Sequence, residues 1–192
     1  MDEIKEAAWP KQYKSILAKS KEIGFDMPSD LYIGSLLKTL VSSKPGGRFL
    51  ELGSGIGLSL SWMVDGMSAD ARLITIDNDP KLSEIVKSFF NEDGRVEILC
   101  QDGAEFIRNY KGELFDLVFA DAWPGKYSEL DEVLAFIKPG GFYIIDDMIE
   151  QENWPEGHSA KAENLLAKLE NRGDLVLTKM DWSTGIMVCV KQ

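Results

Sequence analysis

Cysteine is scarce in this chain of 192 residues, with Cys100 and Cys189 the two that occur. Two thiolates cannot close a four-ligand cysteine cage, so a structural zinc site of that kind is excluded. Both lie in apolar, strand-like stretches and read as small core side chains rather than as a disulfide. No apolar stretch approaches the roughly 20 residues needed to span a bilayer. Internal repeats and low-complexity segments are also missing. Positive charge is in short supply: 21 Lys and Arg against 32 Asp and Glu leave a net charge of −11. So acidic a surface repels phosphate backbones and anionic lipid, which argues against nucleic-acid and membrane partners. The opening MDEIKEAAWPKQYK has no basic segment followed by an apolar run. No signal peptide is expected, and the cytoplasm is the expected compartment.

The 192 residues suffice for one domain with a sizeable core, and 1–192 is read as a single domain. Two helices come first. Tyr13, Ile16 and Leu17 share one face; after a break at Gly24 to Ser29, Ile33, Leu36, Leu37 and Leu40 share another. Lys44-Pro45-Gly46-Gly47 then turns the chain. From Arg48 onward strands and helices alternate. Strands are predicted at Arg48–Leu52, Leu73–Asp77, Val96–Cys100, Asp116–Asp121 and Phe142–Asp146. The helices between carry Leu60, Met63, Val64 and Met67; Leu82, Ile85, Val86 and Phe89; Phe106, Ile107 and Tyr110; and Leu130, Val133, Leu134 and Ile137. This alternation predicts an α/β, doubly wound, mostly parallel sheet with helices on both faces.

The end of the chain changes style. A helix bearing Ala162, Leu165, Leu166 and Leu169 precedes two strands, Leu175–Met180 and Gly185–Lys191. Only Asp181-Trp182-Ser183-Thr184 joins them, too short a link for a parallel crossover. An antiparallel hairpin therefore completes a seven-stranded sheet.

The strongest chemical signal is Phe49-Leu-Glu-Leu-Gly-Ser-Gly-Ile-Gly57. An apolar strand runs into glycines at 53, 55 and 57, and a helix follows. Such glycines permit positive φ and let a ligand approach the backbone. The dinucleotide fingerprint is G-x-G-x-x-G, and here the third glycine comes one residue early. Glu51 sits just before the turn, where a carboxylate can attract a cationic amine. Asp77 ends the second strand about 20 residues later, the place from which an acid grips ribose hydroxyls. It could instead cap the helix after Pro80. Asp102, in Cys100-Gln-Asp-Gly103, could accept from an adenine amine or cap its own helix.

Glu51, Gly53, Ser54, Gly55, Gly57, Asp77, Asn78, Gln101 and Asp102 together resemble the cofactor motifs of class I S-adenosylmethionine-dependent methyltransferases. The resemblance implies a Rossmann-like methyltransferase fold and S-adenosylmethionine as cofactor. Glu51 would hold the methionine amine, Asp77 the ribose, and Gln101–Asp102 the adenine. Within that class the chain resembles the small catechol-type O-methyltransferase group, through Phe115-Asp-Leu-Val-Phe-Ala-Asp-Ala-Trp-Pro-Gly-Lys-Tyr127 and Ile144-Ile-Asp-Asp147. The group's strand-four acid and strand-five acid pair bind a divalent cation such as Mg2+. Asp121, Asp146 and Asp147 match those positions; a capping turn is the plainer reading of the last two. Where the group carries a lysine base this chain has Pro124, and Lys126 lies two residues on. Asp121, beside the methyl donor, and Lys126 are the catalytic candidates.

The reading that follows is transfer of a methyl group to an oxygen of a small molecule. The N-terminal helices, residues 1–44, would form part of the acceptor face, and a homodimeric partner could add walls. Trp123, Trp154 and Trp182 could build an aromatic wall or merely pack half-buried. His158, the single histidine, reads more readily as structural than catalytic. Glu150, Glu152 and Glu156 extend an acidic run near Asp146 and Asp147, usually a solvated loop. Two rivals stay open: a dinucleotide-dependent oxidoreductase, and a non-catalytic S-adenosylmethionine-binding protein.

Overall fold

Alternation within the strands sorts the apolar residues onto two faces of one sheet. The computed structural model describes residues 4–151 and 154–192. Glu152 of the acidic run and the first three residues lie outside that range. After a short 3-10 turn at Glu6–Ala8 come α1 (Tyr13–Ile23) and α2 (Leu31–Ser42). The alternating region runs β1 (Arg48–Leu52), α3 (Leu58–Gly66), β2 (Arg72–Asp77), α4 (Pro80–Phe90), β3 (Val96–Cys100), α5 (Gly103–Asn109), β4 (Phe115–Ala120), α6 (Leu130–Ala135) and β5 (Ile137–Ile145). It closes with α7 (His158–Glu170), β6 (Leu175–Met180) and β7 (Ile186–Lys191).

The seven strands lie in the order β3-β2-β1-β4-β5-β7-β6. β1 to β5 pair in parallel, and β7 is antiparallel to both β5 and β6. The strand order reverses between β1 and β4, and a crevice opens beyond their carboxyl ends. Phe49, Leu73, Leu117, Phe119 and Ile144 face the layer of α1 to α4, where they meet Ile16, Leu37, Trp62 and Val86. Leu50, Leu52, Ile76, Val118 and Tyr143 face the other layer and meet Phe106, Val133 and Leu165. Each such fully buried side chain contributes about 1.5–3 kcal/mol relative to exposure. α2 approaches α3 closely because Gly34 has no side chain: a Cβ there would stand 2.3 Å from Trp62 Cδ1.

Two expectations are corrected. Ile137 was assigned to a helix, but α6 stops at Ala135 and Ile137 opens β5, paired with Phe115. It is fully buried either way, and burial at helical spacing does not separate a helix from the strand that follows. Cys100 is exposed rather than core, because β3 is an edge strand and the residue ends it. Cys189 is buried as expected, and both thiols are free.

Candidate active site

The crevice is shaped by the turn after β1. Gly53, Gly55 and Gly57 all have positive φ, at 94°, 48° and 94°. The amides of Gly53 and Ser54 both donate to the Ile76 carbonyl, at 2.9 and 3.2 Å, which draws the turn across the end of β2. Asp77 then ties two segments together. Its Oδ2 accepts from the Gly55 amide at 2.8 Å and its Oδ1 from the Asp79 amide at 2.9 Å. The cap of α4 is Asp79, which accepts from the Lys81 and Leu82 amides, so Asp77 is free of that task. A Cβ at Gly53 would stand 2.8 Å from the Asp121 carbonyl oxygen, so β1 and β4 meet here only through glycine.

A cavity of about 490 Å3 lies over this turn. Of the expected residues, Gly53, Gly55, Asp77, Asn78, Gln101, Asp102 and Asp121 line it. Asp102 also caps α5, accepting from the Glu105 amide at 2.8 Å, so the two readings of this residue are compatible. Ser54 borders a small adjoining cleft, where its buried hydroxyl has no hydrogen-bond partner. Gly57 is elsewhere: it opens α3, and a Cβ on it would point at Val86 and Phe90 of α4.

Glu51 is also off the cavity wall. It shares the parity of Phe49, so it points into the layer of α3 and is fully buried. Its oxygens accept from Ser59 Oγ at 2.6 Å and Thr75 Oγ1 at 2.5 Å. Burial pushes its carboxyl up to about 7, against the pull of those two hydroxyls.

A second cavity, of about 420 Å3, shares Met27, Asp121, Ala122, Trp123 and Asp147 with the first. Lys126, Tyr127, Asp146, Trp154, His158 and Thr184 line its far side. Lys126 is only 4% exposed, and its Nζ donates to the Asp146 carbonyl at 2.5 Å. Burial holds this ammonium below the usual lysine range, opposed by the carboxylates of Asp147, Asp121 and Asp146. Burial and the Asp146 and Asp147 charges hold Asp121 well above the usual carboxylate range. Asp146 is pushed up to about 6 by burial and then by Asp147.

The three-aspartate metal site is not assembled. Among the described residues, no group of three or more histidine, cysteine or carboxylate side chains is placed to hold a metal ion. Asp146 Oδ1 is occupied by Thr184 Oγ1 at 2.8 Å and the Asp147 amide at 2.9 Å. Asp147 has φ of 55°, so the chain has left strand geometry at this residue.

His158 is more engaged than its sequence context implied. Its Nε2 lies 3.0 Å from Tyr127 Oη, and its buried Nδ1 has no partner. Burial and then the Lys126 charge hold its pKa below the usual histidine range. Trp154 packs on the imidazole at 4.3 Å between ring centroids, and Trp123 stands edge-on at 5.9 Å. Trp182 is not on this wall; it packs on Tyr32 instead. Phe25 and Met27, from the loop between α1 and α2, line the first cavity and were missed. The signal was two large apolar side chains in a stretch otherwise read as a break.

The chain matches the model of the O-methyltransferase family over residues 9–179. A provisionally named O-methyltransferase of Mycolicibacterium paratuberculosis is 30% identical over 139 residues, covering 68% of this chain. The match spans 63% of that relative, so the chain corresponds to less than two thirds of the curated relatives' length. Two solved structures share the fold. The O-methyltransferase from Bacillus cereus, in complex with SAH, superimposes with a TM-score of 0.81 at 20% identity, covering 99% of this chain and 93% of that one. The O-methyltransferase TomG from Streptomyces achromogenes, in complex with SAM, gives 0.82 at 22% identity, covering 95% and 90%.

Proposed function

The chain belongs to the O-methyltransferase family, and from that premise we propose that it moves a methyl group from S-adenosylmethionine to an oxygen of a small molecule. The observation that carries this reading is the shared wall. Two cavities of about 490 and 420 Å3 meet at Asp121, Ala122 and Trp123, one beside the glycine turn and one beside the aromatic cluster. Donor and acceptor can thus be held in line across a single gap.

The residues of the first cavity suit the donor. Asp77 keeps lone pairs for ribose hydroxyls after accepting two amides, Gln101 and Asp102 present polar groups toward a base, and the unpartnered Ser54 hydroxyl marks a polar end. Glu51 supports the turn from beneath. When bound, the donor supplies a sulfonium-activated methyl: the acceptor oxygen forms the new O–C bond as the C–S bond breaks and its electron pair goes to sulfur. Asp121, at the shared wall, accepts the hydroxyl proton, and its raised proton affinity favours that role. Lys126 supplies the positive charge of the acceptor chamber.

The chamber walls support a small, flat acceptor, with Trp123, Trp154 and the Tyr127–His158 pair around it. The loop Asp26–Asp30 also lines it, in keeping with residues 1–44 as part of the acceptor face within one 192-residue unit. Two free thiols suit a reducing cytoplasm. No helix among the described residues is long and apolar enough to cross a membrane.

Calorimetric titration with S-adenosylmethionine and its demethylated product, followed by transfer of labelled methyl to a panel of small hydroxylated molecules, tests the proposal. One-to-one binding and label in an extractable ether or ester are expected. Binding of a nicotinamide dinucleotide but not of S-adenosylmethionine would reinstate the oxidoreductase. Tight binding with no transfer across the panel would favour a non-catalytic binder.

A further inference from the structure

The second cavity holds a polar pair set in an aromatic frame. Tyr127 Oη and His158 Nε2 are 3.0 Å apart, and their rings meet edge-on with centroids 5.2 Å apart. Trp154 packs on the imidazole at 4.3 Å, and Trp123 stands edge-on to both rings at 5.9 Å. The backbone holds each partner in place. The Lys126 and Tyr127 amides both donate to the Trp123 carbonyl, at 3.2 and 2.9 Å. Gly125 before them has φ of 85°, and a Cβ on it would stand 2.3 Å from Leu52 Cδ1. His158 opens α7, and its amide donates to the Pro155 carbonyl at 3.1 Å.

His158 is 9% exposed, and its buried Nδ1 has no partner among the described residues. A neutral imidazole has one N–H and one lone pair. Both tautomers keep the bond to Tyr127 and differ in what is left over. With the proton on Nδ1, a donor is buried against nothing, and the phenol O–H is spent on Nε2. With the proton on Nε2, the imidazole donates to Tyr127 Oη, a bare lone pair remains at Nδ1, and the phenol proton stays free. On the main chain, orphaned N–H groups are rarer than under-satisfied acceptors, and the same desolvation cost favours the second tautomer here. Tyr127 Oη has no further partner among the described residues, so its proton is available to whatever fills the cavity.

We propose that His158 holds Tyr127 as a hydrogen-bond donor to the acceptor, so that the chamber selects flat molecules carrying a second oxygen able to accept, apart from the hydroxyl that is methylated. The methylated oxygen sits at Asp121 on the shared wall, whereas Tyr127 and His158 line the second cavity and not the first. The oxygen that meets Tyr127 is therefore a different one. Tyr127 touches the acceptor, and His158 is a positioning residue that acts through it. Naming the occupant an acceptor rests on the methyl-transfer reading, which S-adenosylmethionine titration and labelled methyl transfer test separately. The expected tautomer and selectivity without any transfer would leave this inference standing and sink that reading alone.

The chain has one histidine, so labelling histidine with 15N reports His158 without assignment. A long-range 1H–15N correlation of the full chain at about pH 7.5, above the usual histidine pKa, is expected to place the proton on Nε2. The binding probes are the three hydroxyacetophenones, each set against the ethylphenol of the same substitution, which lacks the carbonyl oxygen. They are titrated by calorimetry in the presence of S-adenosylhomocysteine. At least one hydroxyacetophenone is expected to bind about two- to tenfold more tightly than its ethylphenol, the scale of one hydrogen bond. Tyr127→Phe, checked for native circular dichroism, is expected to erase that preference. His158→Leu is expected to reduce it, and His158→Gln, whose amide N–H can replace Nε2–H, to keep it. A proton on Nδ1 would overturn the proposal. So would the absence of any difference within all three pairs, binding by neither member included, or a preference that survives Tyr127→Phe. If Tyr127→Phe does not fold, His158→Leu against His158→Gln decides the same point.

Discussion

Replacing Glu51 by glutamine should make the protein more stable at neutral pH and leave it unchanged in acid. Glu51 is fully buried, and its carboxyl is pushed from the ordinary 4.5 to about 7 by burial. The folded state therefore holds this proton more tightly than the unfolded chain does. Below the unfolded value both states are protonated and no penalty exists. As pH rises from about 4.5 to about 7 the unfolded chain ionises first, and stability falls. Above the folded value the penalty is constant. A displacement of this size corresponds to about 3 kcal/mol, at roughly 1.4 kcal/mol per pKa unit. Glutamine keeps the shape and cannot ionise. Its amide can still satisfy Ser59 and Thr75, because each hydroxyl can donate or accept. Urea unfolding of both proteins at a series of pH values from 4.5 to 8.5 gives the difference curve, in which the other carboxylates cancel. That difference should move by about 3 kcal/mol in favour of the variant across the window. A flat difference curve would refute the argument that two hydroxyl hydrogen bonds leave the burial of this carboxyl only partly offset.

Asp77→Ala should weaken S-adenosylmethionine binding by about 1–3 kcal/mol in a calorimetric titration, since it removes a charged hydrogen-bond partner and the strut to the Gly55 amide. Gly55→Val should abolish that binding with the fold retained by circular dichroism. Its φ is 48°, and a Cβ would already lie 3.1 Å from Phe25 Cζ, on the wall of the cavity. Gly125→Ala should lower stability by about 1–3 kcal/mol in denaturant unfolding, because positive φ and the contact with Leu52 Cδ1 are both affected. An unchanged midpoint would show that the turn can relax around a methyl group.

Much of the fold was legible because its signals are local. Strands β1, β3 and β6 have the expected ends, and the short link 181–184 required the hairpin that β6 and β7 form. The glycine turn and Asp77 were legible for the same reason, since backbone chemistry at a strand end depends on few neighbours. Ile137 and Cys100 were not, because a buried helix end and a strand start look alike, and nothing local tells an edge strand from a central one. Phe25 and Met27 escaped notice because their role depends on where α1 and α2 set the loop between them. The tryptophans divided: Trp123 and Trp154 reach the second cavity, while Trp182 turns to Tyr32.

The acids show what spacing alone leaves open. Glu51 lies one residue inside the end of β1, where parity still rules, so it points into the helical layer and becomes a buried support. Asp77 is the last residue of β2 and reaches both the turn and the cavity. Asp121 and Asp146 lie one residue beyond β4 and β5. There the chain is released from the pleat, and both line the second cavity. Asp147 is further released into the left-handed region, and it lines both cavities. A carboxylate's task therefore follows its distance from the strand end, which a shift of one residue changes completely. Lys126 follows the same rule from the other side of the crevice. The distance from Asp121 to the lysine matters less than the glycine between them, because positive φ at Gly125 turns the chain inward and the buried ammonium meets the main-chain carbonyls beyond the end of β5.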